Sequence, residues 1–450
     1  MRYFFLASLC IIASGLQVQA QGDIINELKT INAKIAAVPC GNGYGNLISY
    51  RGLNLFLAGK IGSYLSEGND LSFYKNNITL NTSEGILTVN HSLFQASGVD
   101  EQVRKFMVVG VNANIANGFA SAFAGKRYSN DFGFTIRQTW LGNVRTYFEK
   151  CSQSKEYGSI TTGGQKPAMD ALRAVILHTL EIEINKKISD FEHALSAIDS
   201  AKEVPGQDMV KVKMLARVNF YTTLKEEYYR KFANIQAQTL LNTNNYNRIT
   251  TSWTSISGYV PLIAERFTIA KSLSSSFNLK RAYPLSVSVS HTRFWESTKF
   301  GRLFLTISGE AFLNNSKQSQ ALQLVSYDQY RILGGTDTIN VAKLNSTDLY
   351  LGSYRTFITP LIKGKIVYIP PDWHFGITLI MEKNFGTYQA LNGTLGVPIV
   401  LIDKHSNPSI NFEFQVHYFD ISNQVIPDKK IGAKVSVGLT VGIPFSKIIY

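Results

Sequence analysis

The segment from Ile431 to Phe445 places an apolar side chain at every odd position, and its even positions hold Gly, Lys, Ser, Thr and Pro. A two-residue period predicts a β-strand with one apolar face and one face of small and polar groups. Strands of soluble proteins average about five or six residues, whereas a tilted strand that crosses a bilayer needs about 9–11. The segment is therefore long enough to span a membrane.

Further segments repeat this alternation on both sides of a central interruption. Clear examples cover residues 107–115, 132–140, 285–290, 303–313, 373–382, 391–401 and 410–418, with weaker ones at 71–80 and 85–94. The spacing of Leu53, Leu55, Leu57 and Ile61 predicts one more strand, so we expect about five strands before residue 150. Turn residues at 370–372 and 404–408 separate the later strands. Long strands joined by turns predict an up-and-down antiparallel sheet.

The interruption has a helical period. Apolar residues from Met169 to Ile198, and again from Met214 to Ile235, are spaced by threes and fours, and Pro205-Gly206 separates the two runs. Two helices of about 30 residues, each about 45 Å long at 1.5 Å per residue, predict an antiparallel helical hairpin over residues 163–240. Its apolar stripes form either the hairpin's own core or a surface for a protein partner.

The N-terminus predicts export. Residues 1–20 comprise Arg2, an apolar run and Val18-Gln19-Ala20, which is the layout of a cleaved secretory signal peptide. Residues 21–46 then predict an amphipathic helix and a Gly-rich linker. Two cysteines remain in the mature chain, and in an oxidising compartment Cys40 and Cys151 form either a disulfide or two separate thiols.

The formal net charge of +13 lies mostly in the strand-rich parts, because residues 166–240 hold 11 basic and 10 acidic residues. A basic surface there fits lipid phosphates, lipopolysaccharide or anionic solutes in a lumen, as well as solvated loops. The sequence contains no basic, aromatic-rich motif typical of nucleic-acid binding. We therefore expect no nucleic-acid partner.

No pattern typical of catalysis is present. The seven histidines show no metal-ligand spacing, no phosphate-binding glycine motif occurs, and Ser290-His291 alone does not make a catalytic triad. We therefore expect no enzyme activity, no cofactor and no metal. The chemistry that remains is that of charged residues on the polar strand faces, which would line the inside of a barrel. These candidates are Arg137, Arg302, Glu310, Glu382, Glu413 and Lys434.

Together, the long alternating strands, the signal peptide and the closing strand Ile431 to Phe445 resemble the outer-membrane β-barrel proteins of Gram-negative bacteria. The resemblance is one of architecture and points to no specific family. It implies a mainly β fold, a transmembrane antiparallel up-and-down barrel of about 12–14 strands formed by residues 47–150 and 249–450, with the helical hairpin inserted between them. Aromatic residues near strand ends, among them Trp295, Tyr368 and Trp373, fit the interfacial girdles of such barrels.

The same resemblance implies a location in the outer membrane, contact with its lipid and with lipopolysaccharide, and insertion by the outer-membrane assembly machinery. The leading functional hypothesis is a channel or transport-type protein without catalytic chemistry. One alternative is a barrel that anchors the helical hairpin as an interaction module for a surface or periplasmic partner. A second alternative is a soluble exported β protein.

Overall fold

A computed structural model of the chain describes most of the strand-rich regions and part of the helical insert. The described residues are 50–61, 75–81, 86–93, 104–116, 119–120, 123–124, 127–128, 132–142, 144–148, 178, 180–182, 184–193, 196, 209–243, 246–319, 321–333, 340–402, 408–425 and 434–447. The predicted signal peptide, the 21–46 helix and linker, and both Cys40 and Cys151 lie outside these residues, so those predictions stay open.

Twenty strands are assigned among the described residues. In chain order they are β1 (Lys75–Asn81), β2 (Ile86–Leu93), β3 (Lys105–Ala116), β4 (Phe119–Ala120), β5 (Phe123–Ala124), β6 (Arg127–Tyr128), β7 (Gly133–Leu141), β8 (Arg145–Phe148), β9 (Tyr246–Pro261), β10 (Glu265–Ala270), β11 (Asn278–Ala282), β12 (Ser286–Ser297), β13 (Gly301–Asn315), β14 (Gln323–Leu333), β15 (Asn340–Leu351), β16 (Thr356–Ile369), β17 (Ile377–Asn384), β18 (Leu391–Ile402), β19 (Pro408–Tyr418) and β20 (Val435–Lys447). The weak candidates at 71–80 and 85–94 are therefore strands β1 and β2.

Twelve of these strands form a closed antiparallel barrel, as the sequence predicts. The ring runs β1-β2-β3-β7-β9-β12-β13-β16-β17-β18-β19-β20, and β20 pairs with β1 to close it. β7 and β8 both pair with β9, one after the other, and the pairing is interrupted at Gly142. β4 pairs with the end of β3. Ring neighbours follow chain order throughout, which confirms an up-and-down barrel within the expected 12–14 strands.

The alternating faces have the predicted orientation. On β13, Leu305 and Ile307 are exposed on the outside, while Thr306 and Ser308 between them are partly buried on the inside. The same holds for β20, where Val437 is 73% exposed and Thr440 is 1% exposed. At these positions apolar groups face outward and polar groups face inward, the reverse of a soluble protein.

The barrel has two structurally different ends. At one end β9 begins and β12 turns into β13; we call it the helix end, because both described helices lie there. Gly301 in this turn has φ +87°, and a Cβ added to it would lie 2.3 Å from the Ile369 carbonyl oxygen, so glycine is required. At the other end, the sheet end, β10 and β15 pair in parallel within a separate four-stranded sheet of order β11-β10-β15-β14.

The prediction of a strand at Leu53 to Ile61 is wrong. Residues Tyr50–Ile61 form a helix, α1, which lies inside the helix end of the barrel. Phe56, Leu57 and Ile61 are each 0% exposed. A helix buried on most sides is apolar around its circumference, so the period of its apolar residues does not separate it from a strand.

The insert between β8 and β9 is helical. Helix α2 covers Met209–Thr243, and the described residues between positions 178 and 196 are also helical. The two parts meet where the Phe191 and Phe220 rings stack at 3.9 Å and where Arg217 donates two hydrogen bonds of 2.7 and 2.8 Å to Glu192. Hydrogen bonds from Arg217 and Tyr221 lower the pKa of Glu192. The second predicted stripe is only partly buried: Tyr228 and Phe232 are covered, but Met214 and Val218 are exposed.

Candidate functional site: the barrel interior

The interior at the helix end is apolar and is filled by α1. Inward side chains of β3, β7, β9, β12, β13 and β16 pack around this helix, together with Ala237 of α2. This cluster consists of Leu53, Phe56, Leu57, Ile61, Phe106, Val108, Leu141, Ala237, Ile249, Trp253, Phe294, Phe304, Val367 and Ile369. Phe294 and Phe304 contact each other with ring centroids 4.7 Å apart. Phe294 therefore belongs to this core.

Beyond α1 the interior is polar. Hydroxyl pairs link neighbouring strands across β7, β9, β12 and β13: Thr139 to Ser255 at 2.8 Å, Ser257 to Ser288 at 2.6 Å and Thr292 to Thr306 at 2.8 Å. Such pairs satisfy buried hydroxyl groups without placing apolar atoms in the lumen. The inside of the barrel thus changes from apolar to polar along its axis.

Five of the six charged residues predicted for the lumen occupy inward strand positions, and Lys434 is buried against the turn that follows β19. Arg137 lies on β7, Arg302 and Glu310 on β13, Glu382 on β17, Glu413 on β19, and Lys434 immediately precedes β20. Glu310, Glu382 and Glu413 lie within electrostatic reach of one another or of the same lysine, Lys363, whereas Arg137, Arg302 and Lys434 lie elsewhere on the wall. Three of them form ion pairs with residues that were not on the predicted set.

The first pair joins Lys363 of β16 to Glu382, with Lys363 Nζ 2.8 Å from Glu382 Oε1. The second joins Arg302 Nε to Glu296 Oε1 of β12 at 3.5 Å. The third joins Lys434 Nζ to Asp420 Oδ2 at 3.7 Å, with both side chains 2% exposed. The first two pairs connect neighbouring strands, and the third connects the residue before β20 to the turn after β19, so opposite charges are matched locally.

The sequence contained a signal for the missed lysines. Lys363 and Lys365 alternate with Ile362, Gly364 and Ile366, the same two-residue period seen on the recognised strands. Ile362 and Ile366 are exposed on the outside, and Lys365 is 4% exposed on the inside. The segment 358–369 was simply not identified as a strand.

Lys363 provides a test of these interior pairs. Replacing Lys363 with Met is expected to destabilise the barrel by about 1–3 kcal/mol, because Glu382, whose side chain is 23% exposed, would keep a mostly buried charge without its partner. The double variant Lys363→Met/Glu382→Gln should recover much of that loss. Urea unfolding of the reconstituted protein measures both. Equal stability of wild type and Lys363→Met would contradict the pairing.

Glu413 is positioned by a glycine on the neighbouring strand. Its side chain is fully buried and lies over Gly396 of β18, where an added Cβ would be 2.4 Å from Glu413 Oε1 and 3.2 Å from the Thr378 Cβ. Any side chain at position 396 would therefore displace the carboxylate. The absence of a side chain lets Glu413 reach across β18 toward β17.

A substitution at Gly396 is expected to be costly for this reason. Gly396→Ala should destabilise the barrel by about 1–3 kcal/mol through overpacking, and the loss should shrink in the double variant Gly396→Ala/Glu413→Ala. Gly364→Ala is the matched control, because a Cβ there meets no atom within 4 Å. The measurement is the thermal unfolding of the wild type, the two single variants and the double variant. A Gly396→Ala protein as stable as Gly364→Ala would refute the contact between position 396 and Glu413.

Neither a metal centre nor a spanning helix is found among the described residues. No group of three or more His, Cys, Asp or Glu side chains within these ranges could hold a metal ion. No helix in the same part of the chain is long and apolar enough to cross a membrane.

Comparison with known proteins adds little. No protein-family model matches the sequence, and no curated protein sequence matches it. Among solved structures, the fold was compared with OmpT folded in vitro and with its loop L8 deletion mutant, described as outer membrane proteins of Vibrio cholerae. Each is 6% identical to this chain, and the matched region covers 82% of this chain. It covers 94% of OmpT, with a TM-score of 0.23, and 96% of the deletion mutant, with a TM-score of 0.22. At those scores the likeness carries no argument, and the barrel rests on its own strand pairing.

Proposed function

We propose that the protein is an integral outer-membrane barrel of the channel or transport type, whose helix end is closed by α1. The inverted distribution of side chains supports the membrane placement. Ile307, Ile358 and Val437 are 63%, 65% and 73% exposed on the outer surface, while Thr359, Thr378 and Glu413 are each 0% exposed inside. Apolar exposure on this scale is stable only against hydrocarbon.

The burial of α1 carries the functional part of the proposal. Twelve strands enclose more space than the eight-stranded barrels that side chains alone can fill. In this chain the space at the helix end is taken by an apolar helix, not by inward side chains alone, and the space beyond it is polar. The inward polar side chains beyond α1 are also buried, with Thr378 and Glu413 each 0% exposed, so the proposed channel is closed in this conformation and opens only when its interior rearranges.

Conductance measurements test this role. In planar bilayers the intact protein is expected to remain closed most of the time, with brief openings when α1 leaves its site. Steady ion flow through every inserted molecule would show that α1 does not seal the barrel. A complete lack of conductance, even after α1 is destabilised, would favour an anchoring role.

Anchoring is the second candidate, because the helical insert exposes apolar side chains. Ile182, Met214, Leu215 and Val218 are between 52% and 66% exposed. In this alternative the barrel holds the insert at the membrane for a protein partner. Under either role we expect export by a cleaved signal peptide, insertion by the outer-membrane assembly machinery, contact with lipid and lipopolysaccharide, and no catalytic chemistry.

A further inference from the structure

Strand β19 carries a buried carboxylate that accepts no hydrogen bond. Glu413 is 0% exposed, and neither its Oε1 nor its Oε2 atom has a hydrogen-bond partner among the described residues. A carboxylate that leaves water without a hydrogen-bond donor or a counter-ion loses solvation free energy that packing does not return. Glu413 therefore needs a proton or a cation as its partner.

Two buried hydroxyl groups flank this carboxylate from different strands. Thr440 of β20 lies directly opposite Glu413 in the antiparallel register, where facing Cβ atoms are about 4.5–5.5 Å apart. Thr378 of β17 lies on the other side, since a Cβ added at Gly396 would meet both Glu413 Oε1 and the Thr378 Cβ. Thr378 is 0% exposed and Thr440 is 1% exposed, and both Oγ1 atoms lack a hydrogen-bond partner within the described part of the chain. We call Glu413, Thr378 and Thr440 the oxygen site.

The strand register places the oxygen site on one face of the barrel wall. β17, β18, β19 and β20 are consecutive in the ring. Thr378 pairs with Gly396 on β18, and the missing side chain at Gly396 leaves the space through which the carboxylate reaches toward β17. Oxygen atoms from three strands thus lie around one point, which is an arrangement that suits a hard cation.

The neighbouring charges leave one carboxylate without compensation. Five charged side chains on β13, β16, β17 and β19 each lie within electrostatic reach of at least one other: Glu310, Glu382, Glu413, Lys363 and Lys365. Three carboxylates thus face two lysines, and Lys363 is already held by Glu382 at 2.8 Å. One additional monovalent cation would neutralise the group.

We propose that the oxygen site binds a monovalent alkali cation inside the barrel. The inference rests on the proposed function for the route of the ion, because the barrel wall encloses the site. One carboxylate with neutral hydroxyl ligands matches a single positive charge, whereas calcium takes about 6–8 oxygen ligands and transition metals prefer imidazole or thiolate ligands. A proton on Glu413 would need one acceptor only and would leave the second hydroxyl group unused.

Urea unfolding of the full chain in phosphatidylcholine vesicles tests the site, because an ion that binds only the folded protein stabilises it with rising concentration. The pH is 8, where an ordinary histidine is neutral. Sodium chloride, and in a second series potassium chloride, is exchanged for N-methylglucamine chloride at constant ionic strength, so that charge screening does not change. The folding equilibrium constant of the wild type is expected to rise about tenfold over a hundredfold range of alkali cation concentration centred on the dissociation constant.

Two variants separate coordination by the site from a general effect of charge. Glu413→Gln removes the carboxylate, and Thr440→Val removes one hydroxyl group without changing the charge. Both variants are expected to lose the dependence on alkali cation. Thr359→Val is the matched control, because Thr359 is also 0% exposed but its hydroxyl oxygen already accepts a 3.1 Å hydrogen bond from Asn314.

The control is expected to keep the wild-type cation dependence even if its overall stability falls. Full cation dependence in Glu413→Gln or in Thr440→Val would overturn the proposal, and Thr440→Val alone decides if Glu413→Gln does not fold. A wild type whose stability responds to pH but to neither alkali cation would also overturn it, because a proton would then neutralise Glu413.

Failure of the proposed function would look different. A protein that is stabilised by alkali cation through the oxygen site, but never conducts in planar bilayers, would retain the site and contradict the channel role. A protein that conducts but shows no cation-dependent stability would retain the channel role and contradict the site.

Discussion

Phe56→Ala and Leu57→Ala are each expected to loosen α1 and to convert a mostly closed barrel into one that conducts. Both side chains are 0% exposed and belong to the apolar cluster at the helix end. Truncation of a buried Phe costs about 3–5 kcal/mol and of a buried Leu about 2–5 kcal/mol, because a cavity remains. Because α1 packs inside the barrel and is not one of its strands, most of this free energy is lost from the binding of α1 to the barrel and not from the pairing of the strands.

Planar-bilayer recording and thermal unfolding together measure the effect. The open fraction is expected to rise by more than tenfold in either variant, since about 1.4 kcal/mol shifts an equilibrium tenfold, while the melting of the strands changes less. Met214→Ala on α2 is the control, because Met214 is 66% exposed and its truncation should stay within about 0.5 kcal/mol. Unchanged conductance in a variant whose α1 is shown to be displaced would mean that another part of the chain closes the barrel.

Val437→Lys is expected to destabilise the inserted barrel, whereas Ser436→Lys is expected to be tolerated. Val437 is the most exposed large apolar residue on β20 and faces outward, and Ser436 faces inward beside His417. A lysine on the lipid face near the bilayer centre costs about 2–4 kcal/mol, and the cost falls to about zero to one near the interface. Two adjacent positions on one strand thus receive the same charge in opposite environments.

The difference is measured as the fraction of protein that is folded in lipid vesicles at increasing urea concentrations. Ser436→Lys should unfold near the wild-type midpoint, and Val437→Lys should unfold at clearly lower urea or fail to insert. Equal behaviour of the two variants would mean that the apolar face of β20 does not contact hydrocarbon.

The sequence predicted the faces of the ring strands and their up-and-down order, but not which segments pair outside the ring. The alternation at 285–290 and 303–313 placed Val287 outside and Ser288 inside, as the structure does, because the pleat forces successive side chains to opposite sides. Alternation says nothing about which strand lies beside which. β14 and β15 are long enough to belong to the ring, yet they pair with each other, and β15 pairs with β10, outside it.

α1 and the interior pairs were hidden for related reasons. Leu53, Leu55 and Leu57 fit a strand period, but Phe56 between two of them is equally buried, because the segment is a helix packed on several sides. Glu413 was identified as an inward residue, but its reach over Gly396 depends on the register of β18 and β19, which is set by pairing and not by local sequence. Contacts between residues far apart in the chain could therefore not be predicted from the local sequence pattern.

Heat-modifiable migration of the native protein from the membrane fraction is the most direct measurement of whether this chain is a bilayer-spanning barrel. An unheated sample in dodecyl sulfate should run as a compact, faster band and should shift to the mobility of the full-length unfolded chain only after boiling. A single band at the same position with and without boiling, from protein recovered in the soluble fraction, would contradict the account.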